Sequence, residues 1–90
     1  MAANRFPLGQ IIITQGALAV LTAKDAMLGL LRHSKSDWGD VCPEDAQLND
    51  AALNDGNRLL SAYKSSDGIR YWIITEADRS VTTVLLPEEY

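Results

Sequence analysis

The sequence predicts a single α+β domain over residues 1–90, with helices packed on an antiparallel sheet. Three observations predict it. Apolar, β-branched runs alternate with turn residues over the last third of the chain, the first half carries capped helical patterns, and 47% of the residues are hydrophobic with no low-complexity tract. We expect a short N-terminal strand, two to three helices and then a three-stranded meander.

The first two elements are short. Gln10–Ile13 is a β-branched run and predicts a strand, at an edge of the meander. Thr14 can cap a helix that runs to about Leu21. Leu18 and Leu21, three residues apart, would form its buried stripe.

A second helix follows at once. Thr22 begins a capping-box pattern, and the helix behind it would reach about His33. Its spacing predicts a core face formed by Met27, Leu30 and Leu31.

A third helix follows a polar loop. Pro43 suits a first helical position, the acids after it suit the positive end of the helix dipole, and Gly56 can end the helix. The side chains predicted to be buried are Leu48, Ala52 and Leu53.

The chain then forms a hairpin. Asp67-Gly68 between two apolar runs predicts a two-residue turn, because such turns need positive φ at both central positions. That turn would place Tyr63 opposite Trp72 and Ala62 opposite Ile73.

A second turn is predicted at Glu76–Arg79, a four-residue loop. It would place Thr75 opposite Ser80 and Ile73 opposite Thr82. The two sheet faces would then carry Tyr71, Ile73, Val84 and Leu86 on one side, and Trp72, Ile74, Val81 and Leu85 on the other. Because neither face is polar, helices must cover one, and the other is partly covered or carries an interface.

Charge and composition narrow the function classes. The formal net charge is −4 and the sequence pI is about 4.7, which disfavours direct nucleic-acid binding, since that binding rests on Lys and Arg neutralising phosphates. The single Cys42 is compatible with a reducing compartment. Residues 1–9 have no apolar signal-peptide core, and no run is long enough to span a bilayer, so we expect a cytoplasmic protein without membrane contact.

The most distinctive feature is an acidic segment from Ser36 to Asn57 that contains no Lys or Arg. Such a block could bind a protein with a basic surface, or it could be an ordinary solvated helix face. Trp38 in this segment is interpreted as a plug for the end of the core, with an exposed binding anchor as the alternative. The candidate binding residues are Asp37, Trp38, Asp40, Glu44, Asp45, Asp50 and Asp55.

No cofactor or metal site is predicted. His33 is the only histidine, and its spacing from Cys42 matches no zinc pattern. Near the end of a helix, His33 is interpreted as a surface residue that suits the helix dipole.

An enzyme remains the alternative. Ribonucleases of the barnase and RelE kind place helices before an antiparallel meander and use a mixture of acid–base and phosphate-binding side chains. The residues that could be assembled here are His33, Glu76, Arg79, Thr82 and Tyr71, and this hypothesis rests on the order of elements alone. A third alternative is a homodimer through an uncovered sheet face around Trp72 and Tyr63.

The runs FPLGQIIITQGAL, LLRHSKSDWGD, LLSAY and WIITEADRSVTTVLLPEEY resemble a family of short bacterial proteins labelled plasmid-related, or labelled the modification subunit of a type I restriction enzyme. The second label does not suit a chain of 90 residues, which cannot contain the doubly wound domain that holds a methyl donor. The resemblance implies a bacterial plasmid or mobile-element context, in which a small acidic protein could inhibit a nucleic-acid-binding host-defence system. It implies no catalytic residues.

Overall fold

The structure, a computed structural model, describes residues 4–90. The α+β class predicted from sequence is confirmed. The elements are β1 (Gln10–Ile13), α1 (Gln15–Val20), α2 (Ala23–Ser34), α3 (Pro43–Asp55), β2 (Leu59–Lys64), β3 (Arg70–Thr75), β4 (Val81–Leu85) and a 3₁₀ turn at Pro87–Glu89.

The sheet has four strands in the order β1-β4-β3-β2. The predicted meander β2-β3-β4 is present and antiparallel. β1 joins this sheet at an edge, as expected, but it runs parallel to β4, with Gln10 beside Val81 and Ile13 beside Val84, so the predicted purely antiparallel sheet was wrong. The result is a mixed sheet with β1 at one edge and β2 at the other.

The predicted β2–β3 register was wrong by one residue. Tyr63 pairs with Tyr71, because the loop has three residues and not two. The Gly68 amide donates to the Ser65 carbonyl, and Gly68 lies at φ 82°, the arrangement of a type I turn followed by a left-handed residue. The Ser65 hydroxyl also accepts from the Asp67 and Ile69 amides, which fixes this longer loop.

The β3–β4 register was wrong by two residues. Thr75 pairs with Thr82, and the Glu76 amide donates to the Val81 carbonyl, so the loop is residues 77–80. A shift of two keeps every side chain on its predicted face, because side chains alternate with period two. The predicted faces of β3 and β4 are therefore confirmed. Tyr63, predicted to pair with Trp72, instead shares a face with Tyr71, and Trp72 lies on the other face of the sheet.

All three helices cover one face of the sheet, the face of Tyr71, Ile73 and Val84. One apolar cluster joins α1 and the sheet through Ala17, Leu21, Tyr63, Tyr71, Ile73, Val84 and Leu86. A second cluster joins α3 to the end of β2 through Phe6, Trp38, Ala52 and Leu59. On the other face Tyr90 folds back onto Trp72, with ring centroids 5.6 Å apart.

Helix α2 packs through small and polar residues, which corrects its predicted core face. Gly29 lies so close to the sheet that an added Cβ would come within 2.5 Å of the Tyr71 hydroxyl oxygen. Met27 and Leu31, predicted to be buried, are 71% and 51% exposed. Leu18 of α1, also predicted to be buried, is exposed as well.

In helix α3, too, a residue predicted to be buried is exposed and a polar neighbour is buried in its place. Leu48, predicted to be buried, is 68% exposed, while the neighbouring Asn49 is buried. Ala52 is buried as predicted, and Leu53 is partly buried.

Candidate functional site

A buried polar chain crosses the core at His33. The ring is 0% exposed, so the interpretation of His33 as a surface residue was wrong. Its Nδ1 lies 2.5 Å from Ser61 Oγ on β2, and its Nε2 lies 2.9 Å from Thr75 Oγ1 on β3. Thr75 Oγ1 is in turn 2.8 Å from Thr82 Oγ1 on β4. One histidine thereby ties α2 to three strands.

The end of this hydrogen-bond chain fixes the proton directions at Thr82, Thr75 and His33 Nε2. Thr82 Oγ1 donates to the Leu8 carbonyl at 2.6 Å, so it must accept from Thr75. Thr75 has then used its one hydroxyl proton and must accept from His33 Nε2–H. His33 Nδ1 is left as an acceptor for the Ser61 hydroxyl. The hydrogen bonds therefore place a proton on Nε2, and in the neutral ring they use Nδ1 as the acceptor.

The electrostatics agree with that assignment. Burial, and secondarily the nearby positive charge of Arg79, lower the pKa of His33 from 6.5 to about 4. Phe6 and Trp38 contact the ring edge-on, with centroids 5.2 and 5.7 Å away, and complete the apolar surroundings. His33 is therefore held neutral at pH 7.

The other residues of the ribonuclease hypothesis are placed as follows. Thr82 belongs to the His33 chain, whereas the buried Tyr71 donates its hydroxyl proton to the Asp25 carbonyl at 3.0 Å. Glu76 is exposed beside the β3–β4 turn. The structure thus joins His33 and Thr82 in one hydrogen-bond chain, whereas the Tyr71 hydroxyl is bonded to α2 at Asp25.

Arg79 acts as a clamp between that turn and α3. Its guanidinium donates to the Ala52 carbonyl at 2.9 Å and to the Asn57 carbonyl at 2.7 Å. The cation suits the negative end of the α3 dipole, and the contact holds Arg79 at φ 62°, a conformation rare outside glycine.

The acidic segment divides into structural and free carboxylates. Asp37 is paired with Arg32 at 2.7 and 3.2 Å, and hydrogen bonds from that guanidinium lower the Asp37 pKa. Asp50 accepts from the indole Nε1 of Trp38 at 3.0 Å. The other four acids of the segment are exposed, and within residues 4–90 none of them forms an ion pair: Asp40, Glu44, Asp45 and Asp55.

Trp38 is a plug, as interpreted from the sequence. It is 6% exposed and stacks on Phe6 with centroids 6.2 Å apart. Its carbonyl accepts from the Ala62 amide, and the Ala62 carbonyl accepts from the Asp40 amide. Gly39 between them, at φ 76°, leaves no room for a Cβ against the Ala62 carbonyl. The loop therefore seals the outer edge of β2 at Ala62.

Asn49 closes the same edge of β2 at Leu60, two residues before Ala62. Its side-chain nitrogen donates to the Leu60 carbonyl at 2.7 Å, and its side-chain oxygen accepts from the Leu60 amide at 3.1 Å. The amide group thus takes the place of a neighbouring strand. Sequence reasoning missed Asn49, because an Asn inside a helix gives no sign that it caps a strand eleven residues later.

Helix α3 is therefore anchored by Asn49, by the Trp38–Asp50 hydrogen bond and by the Arg79 clamp. Its opposite side faces solvent. Residues at positions 44, 48, 51 and 55 recur at helical spacing along that side. We call the exposed set Asp40, Glu44, Asp45, Leu48 and Asp55 the acidic face.

A second surface feature is an apolar groove of about 670 Å³ between α2 and β1. Its lining is almost entirely apolar, and among the residues 4–90 that line it only Lys24 is charged. The lining residues are Asn4, Leu8, Ile11, Lys24, Met27, Leu28, Leu30, Leu31 and Ser34. The acidic face and this groove are the two surfaces of the described chain that present groups suited to binding.

No family model, curated protein or solved structure matches this chain. Across residues 4–90 there is no cluster of three or more His, Cys, Asp or Glu side chains that could hold a metal ion. The helices of that part of the chain are also too short or too polar to cross a membrane.

Proposed function

We propose that the protein is a small non-enzymatic binding module whose acidic face docks on the basic surface of a partner protein. One observation carries the proposal: α3 is held in place on one side yet presents Glu44, Leu48 and Asp55 to solvent on the other. It is held by Asn49 on β2, by Asp50 on the Trp38 indole and by its Ala52 carbonyl on Arg79. A rigid surface binds with less loss of conformational entropy than a mobile one.

The composition of the acidic face suits a protein partner. Free carboxylates steer an encounter with a basic surface and are screened by salt. Leu48 lies among them as an apolar contact that desolvation would favour. The resemblance to plasmid-related proteins extends the proposal to a nucleic-acid-binding host-defence protein as the partner, with inhibition by occupation of its basic surface.

The test is a pull-down from bacterial lysate treated with nuclease, so that nucleic acid cannot bridge the proteins. The variant Glu44→Gln/Asp45→Asn/Asp55→Asn removes three exposed charges without touching Asp37 or Asp50, whose carboxylates hold Arg32 and Trp38.

The matched control is Asp67→Asn/Glu76→Gln/Glu88→Gln, which changes net charge equally at exposed sites outside α3. We expect a partner that wild type and the control retain, that the α3 variant loses, and that high salt releases. A partner lost equally by both variants would indicate a net-charge effect, and a partner retained by both would place binding elsewhere; either result contradicts the proposal.

A further inference from the structure

The two edge strands of the sheet, β2 and β1, differ in whether their outer backbone groups are hydrogen-bonded. The outer edge of β2 is closed at Leu60 by the Asn49 side chain and at Ala62 by the backbone of residues 38–40. Among residues 4–90, no strand pairs with the outer edge of β1. An edge strand with free amides and carbonyls is a template for another strand.

The direction of the free groups follows from the pairing of β1 with β4. The Gln10 amide donates to the Ser80 carbonyl, and the Thr14 amide donates to the Val84 carbonyl. Because hydrogen-bonding groups alternate along a strand, the backbone groups of Ile11 and Ile13 point away from β4. Two amides and two carbonyls at these residues are therefore available to a neighbour.

Exposed apolar side chains concentrate around the same edge. Of nine large hydrophobic residues that are exposed in the described chain, seven belong to β1, α1 or α2. They are Ile11, Ile12, Leu18, Val20, Met27, Leu28 and Leu31. Scattered apolar residues are normal on a monomer, but a concentration beside an open edge and an apolar groove marks an interface.

From these observations we infer that a second copy of this chain binds here, with β1 of each copy pairing antiparallel about a two-fold axis at Ile12. Ile11 of one copy then faces Ile13 of the other, and each such pair exchanges two backbone hydrogen bonds, four in all. The two sheets become one sheet of eight strands, and Ile12 meets its own copy on the axis.

This register also accounts for the groove. In an antiparallel pair, the element that follows β1 in one copy lies beside the segment that precedes β1 in the other. Helix α1, with exposed Leu18 and Val20, would therefore lie beside Leu8 and Ile11 of its partner, at the mouth of the partner's groove. The apolar residues of α1 and α2 add to the strand contact, which alone is small beside the roughly 800 Å² per partner of a standard interface.

Charge favours a copy over other occupants. The protein has a net charge of −4, but the only charged residues between positions 8 and 31 are Lys24 and Asp25. Asp25 is buried and hydrogen-bonded to Thr22 and Ser66. The acidic faces lie beside β2, three strands away, roughly 14 Å from β1 at the usual strand spacing. In the dimer they would point apart, separated by more than two Debye lengths at physiological salt.

The test is sedimentation equilibrium on the full chain up to about 1 mM, with hydrogen exchange at the Ile11 and Ile13 amides. We expect a dimer in which both amides are protected. Ile12→Lys sets like charges opposite each other on the axis, and it should weaken association on the order of a hundredfold, because like charges juxtaposed at an interface cost several kcal/mol. The monomer should stay folded, since the Ile12 side chain is already 43% exposed.

Leu48→Lys is the matched control, because it adds the same charge at an exposed leucine of α3, and it should dimerise like wild type. A wild-type monomer at the highest concentration overturns the inference and leaves the edge to a foreign strand. A dimer that survives Ile12→Lys, or one that Leu48→Lys disrupts equally, also overturns it.

Discussion

The buried histidine makes stability depend on pH in a window that can be stated in advance. Unfolded, His33 should titrate near 6.5, whereas burial in the folded protein lowers its pKa to about 4. Between these values the unfolded chain binds a proton that the folded protein does not. The free energy of unfolding therefore falls as the pH drops from 6.5 towards 4, and this contribution is fully present above 6.5.

The magnitude follows from the same two pKa values. Each unit corresponds to about 1.4 kcal/mol, so the histidine contribution lost between pH 6.5 and 4 is about 3 kcal/mol. That is a large share of the stability of a small domain. Asp37, whose pKa is lowered by Arg32, titrates below its ordinary value of 3.8 and so contributes at lower pH.

Two measurements check this. Denaturant unfolding at half-unit pH steps should give the predicted slope, and a proton NMR titration can follow the ring without ambiguity, because His33 is the only histidine. His33→Gln can donate to Thr75 and accept from Ser61 without titrating, so its stability should be nearly constant from pH 6.5 to 4.5. A folded-state pKa near 6.5, or an equal slope in the Gln variant, would refute the proton assignment.

Two further substitutions test the packing. Asn49→Ala leaves the Leu60 amide and carbonyl unpaired and should lower the free energy of unfolding by about 2 kcal/mol, whereas Asn54→Ala, exposed on the same helix, should change it by less than about 0.5 kcal/mol; equal losses in chemical denaturation would contradict the edge-sealing role. Gly29→Ala should destabilise by about 1–3 kcal/mol although Ala is the better helix former, because its Cβ meets Tyr71; a higher melting temperature would show that the sheet moves away easily.

The elements could be predicted from the sequence because their signals are local. Thr14 and Thr22 cap α1 and α2 as expected, their hydroxyls accepting from the Ala17 and Asp25 amides. Gly56 ends α3 in the left-handed conformation. Each of these residues acts within a few positions of itself, so its neighbours in the sequence reveal its role.

The buried faces of the helices could not be predicted by the same means. Hydrophobic spacing favoured Met27 and Leu31, but the buried residues of α2 include Ala26 and Gly29, and at Gly29 the helix lies too close to Tyr71 for a larger side chain. The burial of His33 could not be predicted either, because its hydrogen-bond partners, Ser61 and Thr75, lie on strands 28 and 42 residues away in the sequence. No local pattern carries that information.

The candidate site was predicted in outline only. The acidic segment and the Trp38 plug could be proposed from charge and loop composition. The sequence could not show which carboxylates are bound by other side chains, since this depends on contacts such as Asp37 with Arg32 and Asp50 with the Trp38 indole. Arg32 lies five residues before Asp37, a separation at which a helical pattern indicates no pairing.

The difference between the two sheet edges limits how many copies of the chain can join by adding strand to strand. A sheet with two open edges can add copies at both sides, and repeated addition produces a fibril. Here Asn49 occupies the position that another strand would take, so a chain can accept a neighbour on the β1 side only. Assembly by strand addition then ends after a single pairing, because the Asn49 amide and the backbone of residues 38–40 close the second edge of each copy against a further strand.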